Sequence, residues 1–250
     1  MEQKTRYGLE VWIVLFLGLG RSAVYSLLSI VERLTRPDQP LAQQTTQLNT
    51  STVPDRPWLD LSYQLAGMLF PLVQVLLVLY LVHLSHQQAR RLLGLDLRCP
   101  ARDLGYGLGL ADGIGVPGLG FYLAARELGV NTRVEPANLA EHWWTVPVLV
   151  GLAVMNGLVE EVIVLGYLLL RLQERGWAWW AVVVTSALVR GSYHLYQGFG
   201  GFAGNIIMGV VFALAYRRLG RVMPFVVAHA LIDIVAFVGY ALARPYLTWL

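Results

Sequence analysis

The sequence predicts an all-α protein, a polytopic transmembrane helix bundle of about seven spans. Hydrophobic residues make up 56% of the 250 residues and charged residues only 14%, whereas an average soluble domain is about 25% charged. Several uninterrupted apolar runs reach the length of about 20 residues that crosses a bilayer. Because these runs are continuous rather than alternating, we expect helices, which satisfy their backbone hydrogen bonds within one segment.

The expected spans are separated by polar or basic loops. Six of them lie at about Leu9–Ile30, Leu61–Leu84, Leu104–Leu123, Val146–Leu170, Phe202–Tyr216 and Val222–Leu242. The fifth span in chain order follows the tryptophan-rich segment Trp177–Trp180 and ends at about Tyr196. Arg21 interrupts the first span, and Pro71 predicts a kink in the second. The third span is rich in glycine, which favours close packing between membrane helices.

Basic residues predict the orientation of the chain. With seven spans, eleven basic residues fall on one side of the membrane and six on the other. The eleven are Lys4, Arg6, Arg90, Arg91, Arg98, Arg102, Arg171, Arg175, Arg217, Arg218 and Arg221. The positive-inside rule then places the N-terminus in the cytoplasm.

We expect one integrated membrane domain without a soluble module. Residues 1–145 would supply N-terminal transmembrane helices with polar loops, and residues 146–243 would hold the functional core. The small net charge of +3 comes mostly from the loops, where basic residues are typical of a topology signal. We therefore expect the bilayer as a partner and no nucleic acid. A single cysteine, Cys99, permits no internal disulfide.

A pair of adjacent carboxylates, Glu160 and Glu161, lies inside the fourth span. A carboxylate at membrane depth costs roughly 2.5–3.5 kcal/mol on insertion scales. Leucine would pack better at either position, so packing does not require these charges. The pair therefore indicates a functional site with a partner elsewhere in the membrane.

Two other spans offer such partners. Arg190 and His194 lie four residues apart in the fifth span, and His229 and Asp233 have the same spacing in the seventh. Side chains four residues apart share one helix face. Each pair can therefore direct two polar groups into one cavity.

These groups suggest hydrolysis by an activated water molecule. A carboxylate in a low-dielectric setting can act as a general base, and a histidine can share the same water. The second histidine and a carboxyl group could donate to the oxyanion on the scissile carbonyl. Asp233 could donate only when protonated; otherwise it would orient His229.

Other hydrolase classes fit the sequence less well. The only cysteine lies in a loop between spans, and neither a Gly-x-Ser-x-Gly elbow nor a His-Glu-x-x-His zinc signature is present. We expect no cofactor. Glu160, His194 and His229 could still bind zinc, because two histidines and a glutamate form a known catalytic ligand set.

Three motifs resemble the CAAX-protease and bacteriocin-processing (CPBP, Abi-like) group of intramembrane endopeptidases. That family has Glu-Glu-x-x-x-Arg, then Phe-x-x-x-His, then His-x-x-x-Asn or His-x-x-x-Asp, each on its own helix. The matching segments are 160–165, 190–194 and 229–233. The resemblance covers roughly Val146–Gly239, and it implies that residues 146–243 form the protease core of an integral membrane protein, in the plasma membrane of a bacterium.

The resemblance also implies a role for each motif residue. Glu160 and His194 would activate the water, His229 and Asp233 would form the oxyanion site, and Glu161 would support them. Two positions depart from the motifs, because Leu165 replaces the arginine and Arg190 replaces the phenylalanine. We hypothesise that the cation has moved from span four to span five and still pairs with a glutamate.

The expected function is that of a glutamate-type intramembrane endopeptidase, which cuts a peptide or protein near the membrane. A proton-coupled transporter is an alternative, because buried carboxylates and histidines also form proton relays. Inverted repeats would support a transporter, but the two halves show no convincing resemblance. A non-catalytic scaffold of the immunity type is a third possibility, favoured by the changes at Leu165 and Arg190.

Overall fold

A computed structural model describes residues 2–246 of the chain. Its α-helices are α1 (Glu2–Leu17), α2 (Leu19–Leu34), α3 (Pro57–His83), α4 (Ala89–Leu93), α5 (Pro100–Glu127), α6 (Thr145–Glu161), α7 (Leu168–Glu174), α8 (Trp179–Ser192), α9 (Phe199–Leu219) and α10 (Met223–Ala243). A π-helical segment, Val162–Tyr167, joins α6 to α7. Two three-residue strands are β1 (Thr45–Gln47) and β2 (Arg133–Glu135). The predicted all-α membrane bundle is confirmed.

Five or six helical stretches have the length and composition of a membrane span, where the sequence suggested about seven. Among the described residues, five helical stretches are long and apolar enough to cross a membrane, namely α3, α5, Thr145–Glu174, α9 and α10. Helices α1 and α2 meet at a bend of 55° and would form a sixth span if counted together. The expected fifth span is α8, whose 14 residues fall short of the roughly 20 that a span needs.

The short length of α8 determines where its polar residues lie within the bundle. The fourth span continues from Glu161 to Glu174 before the chain turns back, so both glutamates lie well inside the bundle. Helix α8 then begins at Trp179 and ends at Ser192. His194 therefore lies in the turn that follows this short helix rather than within a continuous span.

The basic loops gather at one end of the bundle. Arg171 Nη2 lies 3.2 Å from Glu10 Oε2, which joins α7 to α1. Arg221 Nη2 lies 2.6 Å from Asp103 Oδ2, which joins the α9–α10 turn to α5. These two ion pairs join elements near that end of the bundle.

A small polar cap closes the opposite end. Strands β1 and β2 pair in parallel, with Thr46 opposite Val134. The backbone N–H of Thr132 donates to the Gln197 carbonyl at 2.9 Å. Gly198 has a φ of 118°, and a Cβ atom there would lie 2.7 Å from Asn131 Cα, so only glycine fits. The cap thereby fixes the turn that carries His194.

The helix from α6 through α7 forms the centre of the protein. Every residue from 161 to 169 is buried, whereas α5 is largely exposed. Helix α10 approaches α6 closely at Gly157, where a Cβ atom would lie 2.9 Å from the Val226 carbonyl oxygen. This close contact brings the polar residues of α10 beside those of α6.

Candidate active site

The two glutamates occupy different environments at the end of α6. The Glu160 side chain is 14% exposed, and that of Glu161 is fully buried. They immediately precede the π-helical segment. Single π-helical turns are rare and occur often at functional sites, because they change the direction in which side chains point.

Glu161 is the anchor of a buried ion pair. Arg190 Nη2 donates to both of its carboxylate oxygens, at 2.7 and 2.6 Å. Arg190 Nη1 also lies 3.6 Å from Glu160 Oε2. Both Arg190 and Glu161 are fully buried, so each charge depends on the other for compensation. Leu165 is also fully buried and cannot compensate either glutamate.

Glu161 also orients the histidine of α10. His229 Nδ1 lies 2.6 Å from Glu161 Oε1, and since an ionised carboxylate only accepts, the ring nitrogen is the donor. His229 Nε2 lies 3.8 Å from Asp233 Oδ1. Asp233 in turn accepts a hydrogen bond from Asn156 Nδ2 at 3.1 Å. The interaction with Glu161 therefore leaves Nε2 as the nitrogen on the side of Asp233.

Glu160 receives its contacts from the end of α8. The Tyr193 hydroxyl donates to Glu160 Oε2 at 2.7 Å. His194 Nε2 lies 3.7 Å from the same oxygen, which is too far for a direct hydrogen bond. Within residues 2–246, no hydrogen bond reaches Glu160 Oε1 and none reaches either ring nitrogen of His194. These atoms remain available to a third group.

One cavity unites the exposed members of this cluster. Its volume is about 710 Å³, and its polar wall is formed by Asn156, Glu160, Tyr193, His194, His229 and Asp233. Its other walls come from α2, from the middle of α3 and from Phe237 of α10. Arg190 and Glu161 lie behind the polar wall. The cavity therefore brings together two carboxyl groups, two imidazoles, a phenol and an amide.

Sequence reasoning had identified all of these residues except two. Tyr193 was missed, although it lies directly before His194 in a helix that already carried two candidates. Asn156 was also missed, although it is four residues before Glu160 and thus on the same helix face. Polar residues at this spacing from a buried carboxylate were the available signal.

The described residues contain no group of three His, Cys, Asp or Glu side chains arranged to bind a metal ion. Glu160, His194 and His229 lie around the same cavity, but Glu160 and His194 are 3.7 Å apart and His229 Nδ1 is engaged by Glu161. A zinc ion held by these three residues would therefore have to use His229 Nε2. The Glu160 carboxylate accepts a hydrogen bond from Tyr193 and lies close to the guanidinium of Arg190.

Comparison with known families supports the motif assignment. Residues 142–235 match the family model of the Rce1-like, type II CAAX prenyl endopeptidases. The matched segment contains every candidate residue, from Glu160 to Asp233. It confirms the family resemblance and indicates a membrane-embedded protease. No curated protein and no solved structure matches the chain.

Proposed function

We propose that this protein is an intramembrane endopeptidase that hydrolyses a peptide bond of a membrane-associated peptide or protein, with a water molecule activated by Glu160 and His194. The observation that carries the proposal is the cavity within the helix bundle, which Glu160, His194, His229 and Asp233 line together. The family match over 142–235 supports the same class of reaction.

Glu160 is the proposed general base. Tyr193, Arg190 and His194 all approach Oε2, so Oε1 is the oxygen that can accept a proton from water. His194 would hold the same water through Nε2. The resulting hydroxide attacks the scissile carbonyl carbon, and Glu160 then transfers its proton to the amide nitrogen as the C–N bond breaks.

His229 and Asp233 form the proposed oxyanion site. His229 lies between Glu161 and Asp233, and the proposed role requires that its imidazole carry a proton on each nitrogen. Its Nε2–H would then donate to the developing oxyanion, where a fixed donor stabilises charge most effectively. Asn156, which already binds Asp233, would hold that carboxyl group in place.

Arg190 supports this site by compensating the glutamates. Two adjacent carboxylates inside a membrane protein repel each other, and a single buried guanidinium between them offsets that repulsion. Its contacts with both glutamates support the hypothesis that the motif cation has moved from α6 to α8. The two departures from the motifs, at Leu165 and Arg190, are therefore compatible with an active enzyme.

Cleavage of a membrane-peptide library in proteoliposomes tests the proposal. Wild type is compared with Glu160→Gln and His194→Ala, each with and without a chelator. We expect each substitution to lower cleavage by about 10²–10⁴-fold, as loss of a general base does, and cleavage by wild type to survive the chelator. Loss on chelation that zinc restores would contradict the metal-free mechanism, and undiminished cleavage by Glu160→Gln would contradict the role of Glu160.

A further inference from the structure

A second concave surface, separate from the active-site cavity, lies at the basic end of the bundle. It is a groove of about 470 Å³ lined by His86, Gln87, Gln88, Arg91, Leu92 and Arg98. These residues belong to the loop that connects the end of α3 at His83 to the start of α5 at Pro100. Since α3 and α5 both meet the requirements for a membrane span, the groove lies at the level where lipid headgroups meet the protein.

The polar atoms of the groove are mostly donors. No carboxylate is among its lining residues. Arg91 uses Nη1 to bind Gln88 Oε1 at 2.9 Å, and Arg98 uses Nε to bind Asp96 Oδ2 at 2.8 Å. Within residues 2–246, the remaining N–H groups of both guanidinium groups have no hydrogen-bond acceptor. Two partly held guanidinium groups can therefore bind an additional anion.

The groove is anchored to the folded core rather than to a loose loop. Leu93 is 1% exposed, and its carbonyl accepts a hydrogen bond from Val222 N at 3.0 Å. Asp96, which holds Arg98, is itself held by Arg221 Nη1 at 3.1 Å. Side chains that are already oriented lose less conformational entropy when they bind a ligand.

Apolar side chains adjoin this donor-rich surface. Leu92 is 42% exposed and Leu97 is 77% exposed, which is unfavourable in water and favourable beside acyl chains. A ligand that is an anion at one end and apolar at the other satisfies both features. Arginine binds phosphate through two parallel hydrogen bonds, and basic pockets beside membrane helices bind anionic headgroups.

We propose that the groove formed by Arg91, Arg98 and their neighbours is a binding site for the phosphate of an anionic phospholipid headgroup. The groove is open to its surroundings, so a lipid headgroup could reach both guanidinium groups from the membrane surface. Bound lipid would fasten the α3–α5 loop to the membrane surface. This site is independent of the peptidase proposal, because it shares no residue with the cavity around Glu160.

Native mass spectrometry of the full-length protein in detergent tests the site with two probes, phosphatidylglycerol and phosphatidylcholine. We expect the anionic lipid to bind wild type at least about tenfold more tightly, as one charge-assisted hydrogen bond allows. The Arg91→Gln/Arg98→Gln variant should lose that preference. An Arg126→Gln/Arg133→Gln variant, with the same change of charge at the opposite end of α5, should keep it.

Charge-conserving variants separate a built site from general attraction. Arg91→Lys/Arg98→Lys keeps both charges but cannot form the paired hydrogen bonds of a guanidinium, so we expect most of the preference to be lost. Equal binding of the two lipids by wild type would overturn the proposal without any variant. An equal loss in the Arg126/Arg133 control would also overturn it, and so would displacement of the lipid by inorganic phosphate at matched concentration, since a free anion would then be the ligand.

Discussion

Arg190 and Glu161 form a buried ion pair between α8 and α6, with Arg190 Nη2 2.6 Å from Glu161 Oε2. Neither side chain is exposed. The family motif places its cation on the helix that carries the glutamates, at the position of Leu165, whereas this chain supplies it from the neighbouring helix. The pair is therefore compatible with the hypothesis that the motif cation has moved from α6 to α8.

Removal of this cation is expected to damage the protein severely. Arg190→Leu would leave the buried Glu161 carboxylate with His229 as its remaining partner, and breaking a buried ion pair typically costs about 3–5 kcal/mol. We expect a lower Tm in detergent and loss of peptide cleavage. If the variant folds normally and retains full activity, the proposed exchange of Leu165 and Arg190 is wrong.

A swap of the two positions provides the matched control. Leu165→Arg combined with Arg190→Phe restores the arrangement of the family motif, with the cation on the helix of Glu160 and Glu161. We expect this double variant to recover stability and cleavage relative to Arg190→Leu, because a guanidinium again compensates the pair. If the double variant is no more stable and no more active than Arg190→Phe alone, then only the α8 position can supply the charge.

Tyr193 is expected to position the base rather than to shape the fold. Tyr193→Phe removes the hydroxyl that donates to Glu160 Oε2 at 2.7 Å. Loss of a hydrogen bond to a charged group should lower kcat by about tenfold to a hundredfold, with little change in KM or Tm. Tyr196→Phe is the matched control, because Tyr196 lines the same cavity but its hydroxyl accepts from Gln197. Equal effects of both substitutions on kcat would argue against a role specific to Tyr193.

Gly157 is expected to be essential for the contact between α6 and α10. A Cβ atom there would meet the Val226 carbonyl oxygen at 2.9 Å and the Ala230 nitrogen at 3.0 Å. Overpacking of this kind typically costs about 1–3 kcal/mol, so Gly157→Ala should lower both Tm and cleavage, as His229 is displaced from Glu161. At Gly113 an added Cβ would meet nothing within 4 Å, so Gly113→Ala should leave Tm unchanged or raise it.

Asp96 gives the stability of the protein a dependence on pH. The hydrogen bond from Arg98, together with Arg221, holds the pKa of the Asp96 carboxyl well below its ordinary value of 3.8. A lowered folded-state pKa stabilises the protein above the ordinary value, and this contribution is lost as the pH falls towards the folded-state pKa. We therefore expect Asp96→Asn to lower Tm at pH 7, and the difference from wild type to shrink below about pH 4.

Thermal melts of the purified protein between pH 7 and pH 3 measure this difference. Asp55→Asn is a suitable control, because Asp55 is exposed and forms no ion pair within the described residues. A Tm difference that stayed constant over the whole range for Asp96→Asn would contradict the assigned role of its charge.

The amino-acid sequence determined the class of the protein and most of its candidate site. Apolar runs of spanning length mark the helices at 57–83, 100–127, 145–174, 199–219 and 223–243, because the bilayer demands length and apolarity from each segment separately. Polar and charged groups within such runs are costly, so Glu160 and His229 stood out, while His194 was singled out within an expected span that proved to be the short helix α8 and the turn after it. The spacing of four residues placed His229 and Asp233 on one face of α10, because helical periodicity is a local property. It did not hold for Arg190 and His194, since α8 ends at Ser192 and Arg190 is buried behind the cavity.

Only the tertiary structure decided how these local pieces meet. The 14-residue length of α8, the pairing of Thr46 with Val134 and the hydrogen bond from Tyr193 to Glu160 depend on contacts between segments far apart in the chain. Such contacts arise from packing and from the compensation of buried polar groups, which act only once the helices are assembled. The sequence thus specified which side chains need partners, and the assembled bundle determined that Glu161 binds Arg190 and His229 while Glu160 faces the cavity.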